Sequence, residues 1–389
     1  MDNRLNIIIE EMREQILSDC VHVLPYSEIS FKEFDTSELF TEILKREGYK
    51  VENGISGFPT AFRAIYEHGS GGISIGLLIN LDASARRMSH GHLLQGTILI
   101  AAASAIRKIL GEKNYRIVIY GTPGSQTMVG KSRMLENGCF RDIDFAFMIQ
   151  PFGGTFVRTK SLSGFNMDVV FTGVNANEVS DPWCSRSGSD AMLQAVQSIE
   201  FLRGHIPDGF RIFYRFNDGN GLEGNEDPSR AELRVCVRTY EEKNLRHLET
   251  RIRNIMTGIG LIHEVYVDIQ KTMEVKCYKA NTTLSELIET IGKEIDINFF
   301  GDDDIIGGSP TDFSCLSRLL PCAYLYISLK IEPKTLEITS FEEFTKTECD
   351  NILNAAKFMA QIFYEVIRNP KILKTARKEL DKEQTFKSH

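Results

Sequence analysis

The sequence has little of what membrane, nucleic-acid-binding or thiolate-metal proteins require. Its 8 cysteines are scattered without a CxxC pair, which favours free thiols in a reducing compartment over disulfides or a thiolate zinc site. No cluster of Lys or Arg occurs, and a net charge of -8 argues against a nucleic-acid surface. The longest apolar stretch, near 98–105, is too short to span a bilayer.

The overall composition is that of a globular protein with more than one core. A chain of 389 residues favours two domains, and fractions of 42% hydrophobic and 25% charged residues are ordinary for soluble proteins. Residues 1–15 predict an amphipathic helix without the basic region or cleavage site of a secretion signal. We therefore expect a cytoplasmic protein with no membrane or nucleic-acid partner.

A strand–helix–strand segment at 120–152 is the most informative part of the chain. A β-branched run at 116–120 predicts a buried strand, an amphipathic helix ends near Gly138, and an apolar run at 145–149 predicts the next strand. In open α/β sheets, ligands bind where loops leave the carboxyl ends of the strands. Here those loops are 124–126 and 150–151, and neither carries an ionisable side chain.

The pattern along the chain predicts a two-domain α/β protein. Before the central segment come two helices (1–20 and 37–47), two strands (60–66 and 73–79) and a long helix that ends at Leu110. After residue 163, strands and helices alternate in a way typical of a compact α+β domain. We predict a mixed-sheet, catalytic-type domain flanked by helices (1–162 and 280–389), with a smaller α+β domain inserted at 163–279.

Short motifs follow the predicted elements in a characteristic order. They are SHGHLLQGT at 89–97, GTPGSQ at 121–126, MIQP at 148–151, GVNANEV at 173–179, DPWCSRSGSDA at 181–191 and PTDFSCLSRLLPCAYLYI at 310–327. With these motifs the chain resembles, nearly end to end, the zinc-dependent amidohydrolases of metallopeptidase family twenty. That family includes aminoacylase, hippurate hydrolase and the aminobenzoyl-glutamate and auxin-conjugate hydrolases.

The resemblance implies a role for each matching position. The family's first Cys and His ligands match His90 and His92, its general base and adjacent Glu ligand match Ser125 and Gln126, and a further His ligand matches Gln150. A His that reaches the active site of the partner subunit matches Asn177, and an Asn that contacts substrate matches Asn225. The resemblance also implies that the inserted domain forms a homodimer and closes over the cleft as a lid.

These matches predict that the family's zinc pair is lost and that the protein has no cofactor. A dinuclear zinc site needs about four to six N, O or S ligands and a carboxylate that takes the proton of the bridging water. Gln126 and Gln150 offer only neutral amides, and Ser125 is not a base at neutral pH. The last ligand should fall near Ser340, and no histidine lies between His263 and His389.

Several residues remain as candidates for chemistry or binding. His90 and His92 could act as acid/base groups, be hydrogen-bonded relics or hold one weak metal ion, and Glu67 could act beside them. Gln126 and Gln150 could bond to each other or to a substrate amide. Ser125 and Cys315 are potential nucleophiles without an evident activating base. Asn225 and Arg238 could hold a substrate carboxylate, unless Arg238 is a solvated surface residue, and Ser309 lies in a Gly-Ser loop.

Three functional hypotheses follow. The first is an enzyme that handles an amide-linked amino-acid conjugate or small peptide-like metabolite without two zinc ions, by hydrolysis, condensation or cyclisation. The second is a non-catalytic pseudohydrolase that binds such a ligand or pairs with an active subunit. The third is an ordinary zinc amidohydrolase, which would require the ligand matching to be wrong.

Overall fold

The computed structural model describes residues 2–26, 28–83, 91–111, 113–177, 180–216, 229–300, 309–330 and 343–385. The chain divides into two compact units. The larger unit comprises Met1–Lys160 and Tyr278–His389, and the inserted unit comprises Ser161–Cys277. Both changeovers fall within two residues of the domain limits predicted from the sequence.

Helices and strands occur in both units. In chain order, the α-helices of the described residues are α1 (Asn3–Glu11), α2 (Arg13–Val23), α3 (Phe34–Arg46), α4 (Gly91–Arg107), α5 (Gly130–Glu136), α6 (Gly188–Leu202), α7 (Leu245–His263), α8 (Thr282–Glu294), α9 (Lys346–Arg368) and α10 (Pro370–Thr385). The strands are β1 (Lys50–Asn53), β2 (Phe62–His68), β3 (Ile73–Asn80), β4 (Tyr115–Thr122), β5 (Phe145–Phe152), β6 (Ser163–Thr172), β7 (Arg211–Phe216), β8 (Arg230–Thr239), β9 (Tyr266–Val275) and β10 (Cys322–Ser328).

A mixed six-stranded sheet forms the centre of the larger unit, which confirms the predicted α/β class. The strand order is β1-β2-β4-β3-β5-β10. Strands β4, β3, β5 and β10 are parallel, whereas β2 runs antiparallel to both β1 and β4. Helix α4 packs with α9 in the core on one face, and Met134 of α5 belongs to the core on the other face.

The strand order places a topological switch point between β3 and β5. From β3 the chain passes through α4 to β4 on one side, and from β4 it passes through α5 to β5 on the other side. The β3–β5 ladder extends only from Ile75↔Phe145 to Leu77↔Phe147, although both strands continue beyond it. Open α/β sheets bind ligands in the crevice outside the carboxyl ends of such strands. We call this place the switch-point crevice.

The inserted unit is a four-stranded antiparallel sheet covered by two helices. Its strand order is β7-β8-β6-β9. Alternate residues of β6, including Phe165, Met167 and Val169, pack into one core with residues of α6 and α7. This alternation is the one that the sequence predicts for a half-buried strand.

One predicted element differs in the structure. The helix predicted over residues 1–20 is two helices, α1 and α2, that meet at Met12. Near the end of the chain, α10 begins at Pro370, and proline is well tolerated at the first position of a helix. In the described residues, no helix combines the length and apolar character that a membrane span requires.

Candidate functional site

A buried carboxylate, Asp82, organises the turn that follows β4. Asp82 comes two residues after the end of β3 and is completely buried. Its oxygens accept hydrogen bonds from the main-chain N–H groups of Ser125 (3.1 Å) and Gln126 (2.8 Å) and from the hydroxyl of Ser30 (2.7 Å). The hydroxyl of Ser125 also donates to it. The loop after β3 and the turn after β4 are therefore joined through one side chain.

A second buried carboxylate, Glu33, completes the support of this turn. It accepts from the N–H groups of Gly124 (2.8 Å) and Phe31 (2.7 Å) and from the hydroxyl of Thr60 (2.9 Å). Burial, with a smaller contribution from the charge of Asp82, raises the pKa of Glu33 above its usual range. Three consecutive N–H groups, at 124–126, thus point towards two carboxylates of the protein. Because these donors are engaged, they do not form an oxyanion hole for a ligand.

His92 and Gln126 are held together beside Asp82. His92 lies in the first turn of α4, and its Nδ1 is 3.1 Å from Nε2 of Gln126. An amide nitrogen only donates, so Nδ1 accepts and the ring proton is on Nε2. A hydrogen bond between the ring and the main chain of Asp82 favours a protonated ring nitrogen. Burial lowers the pKa of His92, and the positive charge of Lys131 lowers it further. The negative charge of Asp82 opposes this shift only in part.

A buried ion pair lies behind these residues. The ammonium of Lys131, in α5, donates to Oδ1 of Asn80 at the end of β3 (2.8 Å) and to Oδ1 of Asp312 (2.9 Å). The main-chain N–H of Lys131 donates to the second oxygen of Asp312 at 2.9 Å. Both charged side chains are almost fully enclosed. The pair therefore fastens α5 to β3 and to the 3₁₀ turn that begins at Asp312.

Gln150 lies on the other side of the switch-point crevice with its carboxamide only weakly engaged. It is half-buried near the end of β5, and its Nε2 is 3.5 Å from the carbonyl oxygen of Pro151. This distance is at the limit of a hydrogen bond. The expected bond between Gln126 and Gln150 is not found among the described contacts, because Gln126 pairs with His92. Gln150 can offer both a donor and an acceptor to a ligand.

Neither potential nucleophile is activated. The Ser125 hydroxyl donates to Asp82, whose oxygens also accept three further hydrogen bonds, so this contact holds Ser125 within the turn. Burial, helped by the charge of Asp312, raises the pKa of Cys315 to about 12. Cys315 is therefore a neutral thiol at physiological pH.

The structure places Glu67 at the wrong end of the sheet for the role predicted for it. Because β2 runs antiparallel to β4, Glu67 lies opposite Arg116, whereas the turn at 124–126 follows Thr122. The separation of six residue positions between Arg116 and Thr122 corresponds to about 20 Å of strand. Glu67 therefore does not act together with His92.

Two candidate ligands of a substrate carboxylate or amide lie apart in the inserted unit. Arg238 is only 7% exposed and donates to the carbonyl oxygens of Phe165 (3.0 Å) and Val237 (2.7 Å). The alternative that Arg238 is a solvated surface residue is wrong, because the side chain is buried and its guanidinium contacts the main chain of two strands. Its binding of a substrate carboxylate stays a prediction. Asn177 is exposed and follows the opposite end of β6, where its Oδ1 accepts from the N–H of Ser180 at 3.0 Å.

Of the remaining candidates, the structure describes only Ser309. Ser309 is exposed, and His90, Asn225 and Ser340 lie outside the described residues. Three residues of the site, Asp82, Glu33 and Lys131, were not predicted from the sequence. An acidic residue directly after a buried strand is a signal that could have identified Asp82. Glu33 and Lys131 carry no such signal, because their role depends on contacts distant in sequence.

The described side chains do not form the donor set of a zinc pair. No group of three or more His, Cys, Asp or Glu side chains converges in the ranges that the structure describes. Within these ranges, His92 is bonded to Gln126, and the oxygens of Asp82 are occupied by Ser30, Ser125 and Gln126. A zinc ion needs ligands with free lone pairs, and these groups have directed theirs to protein donors.

The curated proteins that this chain resembles include a hydrolase subunit and a dipeptidase. The chain is 28% identical to one subunit of the p-aminobenzoyl-glutamate hydrolase of Escherichia coli over 298 residues, which cover 71% of this chain and 61% of that relative. The match thus spans less than two thirds of the relative's length. The chain is also 25% identical to Xaa-Arg dipeptidase of mouse over 342 residues, covering 83% and 78% of the two chains. No family model matches the sequence.

Solved structures share the fold along almost the whole chain. An aminobenzoyl-glutamate utilization protein from Klebsiella pneumoniae superposes with a TM-score of 0.72 at 15% identity, over 92% of this chain and 97% of that one. A Bacillus subtilis protein, described as a dinuclear metal binding peptidase of metallopeptidase family twenty, gives a TM-score of 0.60 at 14% identity, over 94% and 99% of the chains. Sequence motifs, curated relatives and fold therefore agree in making this chain similar to the proteins of metallopeptidase family twenty.

Proposed function

We propose that the protein binds an amide-linked amino-acid conjugate or a small peptide-like metabolite in the switch-point crevice and acts on its amide without a zinc pair. The substrate class is supported by the relatives, a p-aminobenzoyl-glutamate hydrolase and a dipeptidase, whose names both denote amide-linked compounds. The reaction would be hydrolysis, condensation or cyclisation.

The observation that carries the proposal is the pair of carboxamides at the crevice. Gln126 follows β4 and Gln150 lies near the end of β5, at the two positions where the family resemblance implies metal ligands. A carboxamide has the donor and the acceptor that an amide substrate needs. Gln150 makes only a 3.5 Å contact to its own neighbour in the described part of the chain, so it can exchange that contact for a ligand.

His92 would act as a positioning residue for Gln126. Its Nδ1 accepts from Nε2 of Gln126, and this bond holds the carboxamide in place. Its lowered pKa keeps the ring neutral, so the accepting nitrogen stays available at neutral pH. The arrangement presents the Gln126 oxygen as an acceptor in one orientation.

Metal analysis and ligand binding test the proposal together. We expect less than one zinc per chain after purification without chelators, and saturable binding of p-aminobenzoyl-glutamate by calorimetry. A Gln150→Leu variant should weaken this binding about ten-fold, because it leaves a substrate amide group unpaired. A Gln197→Leu variant, at an exposed glutamine of α6, is the matched control. Two zinc ions per chain, or unchanged binding by the Gln150 variant, would contradict the proposal.

A second candidate function is a pseudohydrolase that binds the same ligands without turnover. It is favoured by the contacts of Ser125, whose hydroxyl donates to the buried Asp82, a side chain that also holds the main chain of the turn. The relative from Escherichia coli is named as one subunit of an enzyme, which agrees with pairing with an active partner chain. Mass spectrometry of p-aminobenzoyl-glutamate incubated with the protein separates the two functions, since only an enzyme changes the ligand.

We also propose that the protein is a homodimer formed through the inserted unit and that it works in the cytoplasm. Apolar side chains of this unit are left in solvent at the end of α7 and the start of β9. They include Leu261, which is 78% exposed, Ile262 and Tyr266. Exposed apolar groups of this kind mark protein interfaces. The thiols without a disulfide agree with a reducing compartment.

A further inference from the structure

Two half-exposed phenylalanine rings lie at the same edge of the sheet as Gln150. Phe152 is the last residue of β5 and Phe300 follows a bridge between Thr155 and Phe299, and each ring is 52% exposed. Gln150 and Phe152 are two residues apart on one strand, so their side chains leave the sheet on the same face. The aromatic groups are therefore next to the weakly engaged carboxamide.

The rings are held in place by a buried aromatic pair beneath them. Phe300 stacks on Phe156 with ring centroids 5.2 Å apart, and Phe152 meets the edge of Phe156 at 6.0 Å. Tyr326 supports Phe152 at 5.0 Å. Phe156 and Tyr326 are both buried. The buried ring of Phe156 thus contacts both exposed rings, Phe152 and Phe300.

The backbone at Gly154 also lies close to the rings of Phe156 and Phe300. A Cβ atom at Gly154 would lie 2.8 Å from the ring of Phe300 and 2.9 Å from that of Phe156. The main-chain N–H of Phe300 donates to the carbonyl of Thr155 at 3.0 Å. A side chain at position 154 would displace these rings, so the glycine allows them to lie close to the chain after β5.

We propose that Phe152 and Phe300 form the recognition surface for an aromatic acyl group on the amide substrate. This inference rests on the proposed function. Flat rings bind one another by offset stacking or edge contacts, and an exposed ring held rigidly has little conformational freedom to lose on binding. With the amide bonded to Gln150, an acyl group attached to it reaches the ring two residues further along the strand.

The surface fits an aromatic acyl group better than a flexible aliphatic one. Both rings pack against other aromatic rings, and none of the cation–π contacts in the described part of the chain involves either of them. The p-aminobenzoyl group in the name of the Escherichia coli relative belongs to this chemical class. The amino-acid half of the conjugate would then face the side of the crevice that holds Gln126.

Calorimetry with two ligands that differ only in the acyl group tests the inference. We would titrate p-aminobenzoyl-glutamate and N-acetyl-glutamate into the wild-type protein and into Phe152→Leu and Phe300→Leu variants. The control is Phe201→Leu, which removes a 67% exposed ring from the inserted unit. We expect the wild type to prefer the aromatic ligand at least ten-fold, and each variant to reduce this preference about three- to ten-fold, the usual value of one aromatic contact.

Each alternative result has a distinct meaning. Equal affinity of the wild type for both ligands overturns the aromatic surface but leaves the proposed function standing. A variant that weakens both ligands equally also overturns it, because the ring then acts on the fold or on the shared amino acid. Binding of neither ligand refutes the proposed function and the inference together. Circular dichroism of each variant confirms that the fold is retained.

Discussion

At the scale of single residues, Asp82 contributes most to the order of the candidate site. It joins Ser30, Ser125 and Gln126 through hydrogen bonds of 2.7 to 3.1 Å while completely buried. A buried carboxylate needs hydrogen-bond donors for its oxygens, and the buried N–H groups around it need those oxygens as acceptors. The turn after β4 therefore depends on a residue that belongs to a different loop.

We predict that Asp82→Asn destabilises the protein by about 2 kcal/mol or more, because an amide has one acceptor oxygen and would leave buried N–H groups unpaired. Urea denaturation followed by fluorescence measures the change. Ser30→Ala, which removes only one donor, is the matched control and should cost less than about 1 kcal/mol. Equal effects of the two substitutions would show that Asp82 does not organise the turn.

His92 should make the stability of the protein depend on pH. Burial lowers its folded pKa below the ordinary value of 6.5, so between these two values the unfolded chain takes up a proton that the folded chain does not. Stability is then lost as the pH falls through this range. In the His92→Gln variant, the decline in unfolding free energy between pH 7 and more acidic pH should be smaller than in the wild type. Identical slopes would refute this assignment.

At the scale of elements, the ion pair of Lys131 and Asp312 connects three segments at one end of the sheet. It is enclosed between α5, the end of β3 and the 3₁₀ turn at 312–318. Gly130 precedes it at a place where a Cβ would lie 1.7 Å from the carbonyl oxygen of Pro123. The start of α5 is thus tightly packed against the turn that carries Ser125 and Gln126.

We predict that Lys131→Met costs about 3–5 kcal/mol, because it leaves Asp312 buried without its cation. The double variant Lys131→Met/Asp312→Asn should cost less than the sum of the two single variants by at least about 1 kcal/mol. Chemical denaturation of the four proteins gives this coupling energy. As a control, the exposed pair of Arg203 and Glu200 should show a coupling below about 1 kcal/mol. Additive single effects at Lys131 and Asp312 would contradict the buried pair.

At the scale of the whole molecule, the two units have separate cores and separate sheets. The larger unit holds the switch-point crevice, and the inserted unit holds the exposed apolar groups at Leu261, Ile262 and Tyr266. A large exposed apolar patch in a folded protein is stable in solution when another surface covers it. The proposed dimer would provide that surface.

Light scattering should give a solution mass of twice the 44.0 kDa of one chain. The double substitution Leu261→Glu/Ile262→Glu should shift the protein to a monomer, since burying two carboxylates against another chain is costly. Leu319→Glu, at an exposed leucine of the larger unit, is the control and should leave the mass unchanged. A monomeric wild type would refute the homodimer, and a dimer that survives the double substitution would refute its location.

The sequence by itself determined the resemblance to metallopeptidase family twenty, the α/β class and the elements around the candidate site. Apolar runs and glycines predicted β4, α5 and β5, and the loops after these strands contain Ser125, Gln126 and Gln150, because these signals are local. Only the tertiary structure decided which residues meet there. The antiparallel course of β2 removes Glu67, the sheet of the inserted unit encloses Arg238, and long-range folding brings in Glu33, Asp82 and Lys131. Contacts between residues distant in sequence depend on strand direction and burial, which no local pattern encodes.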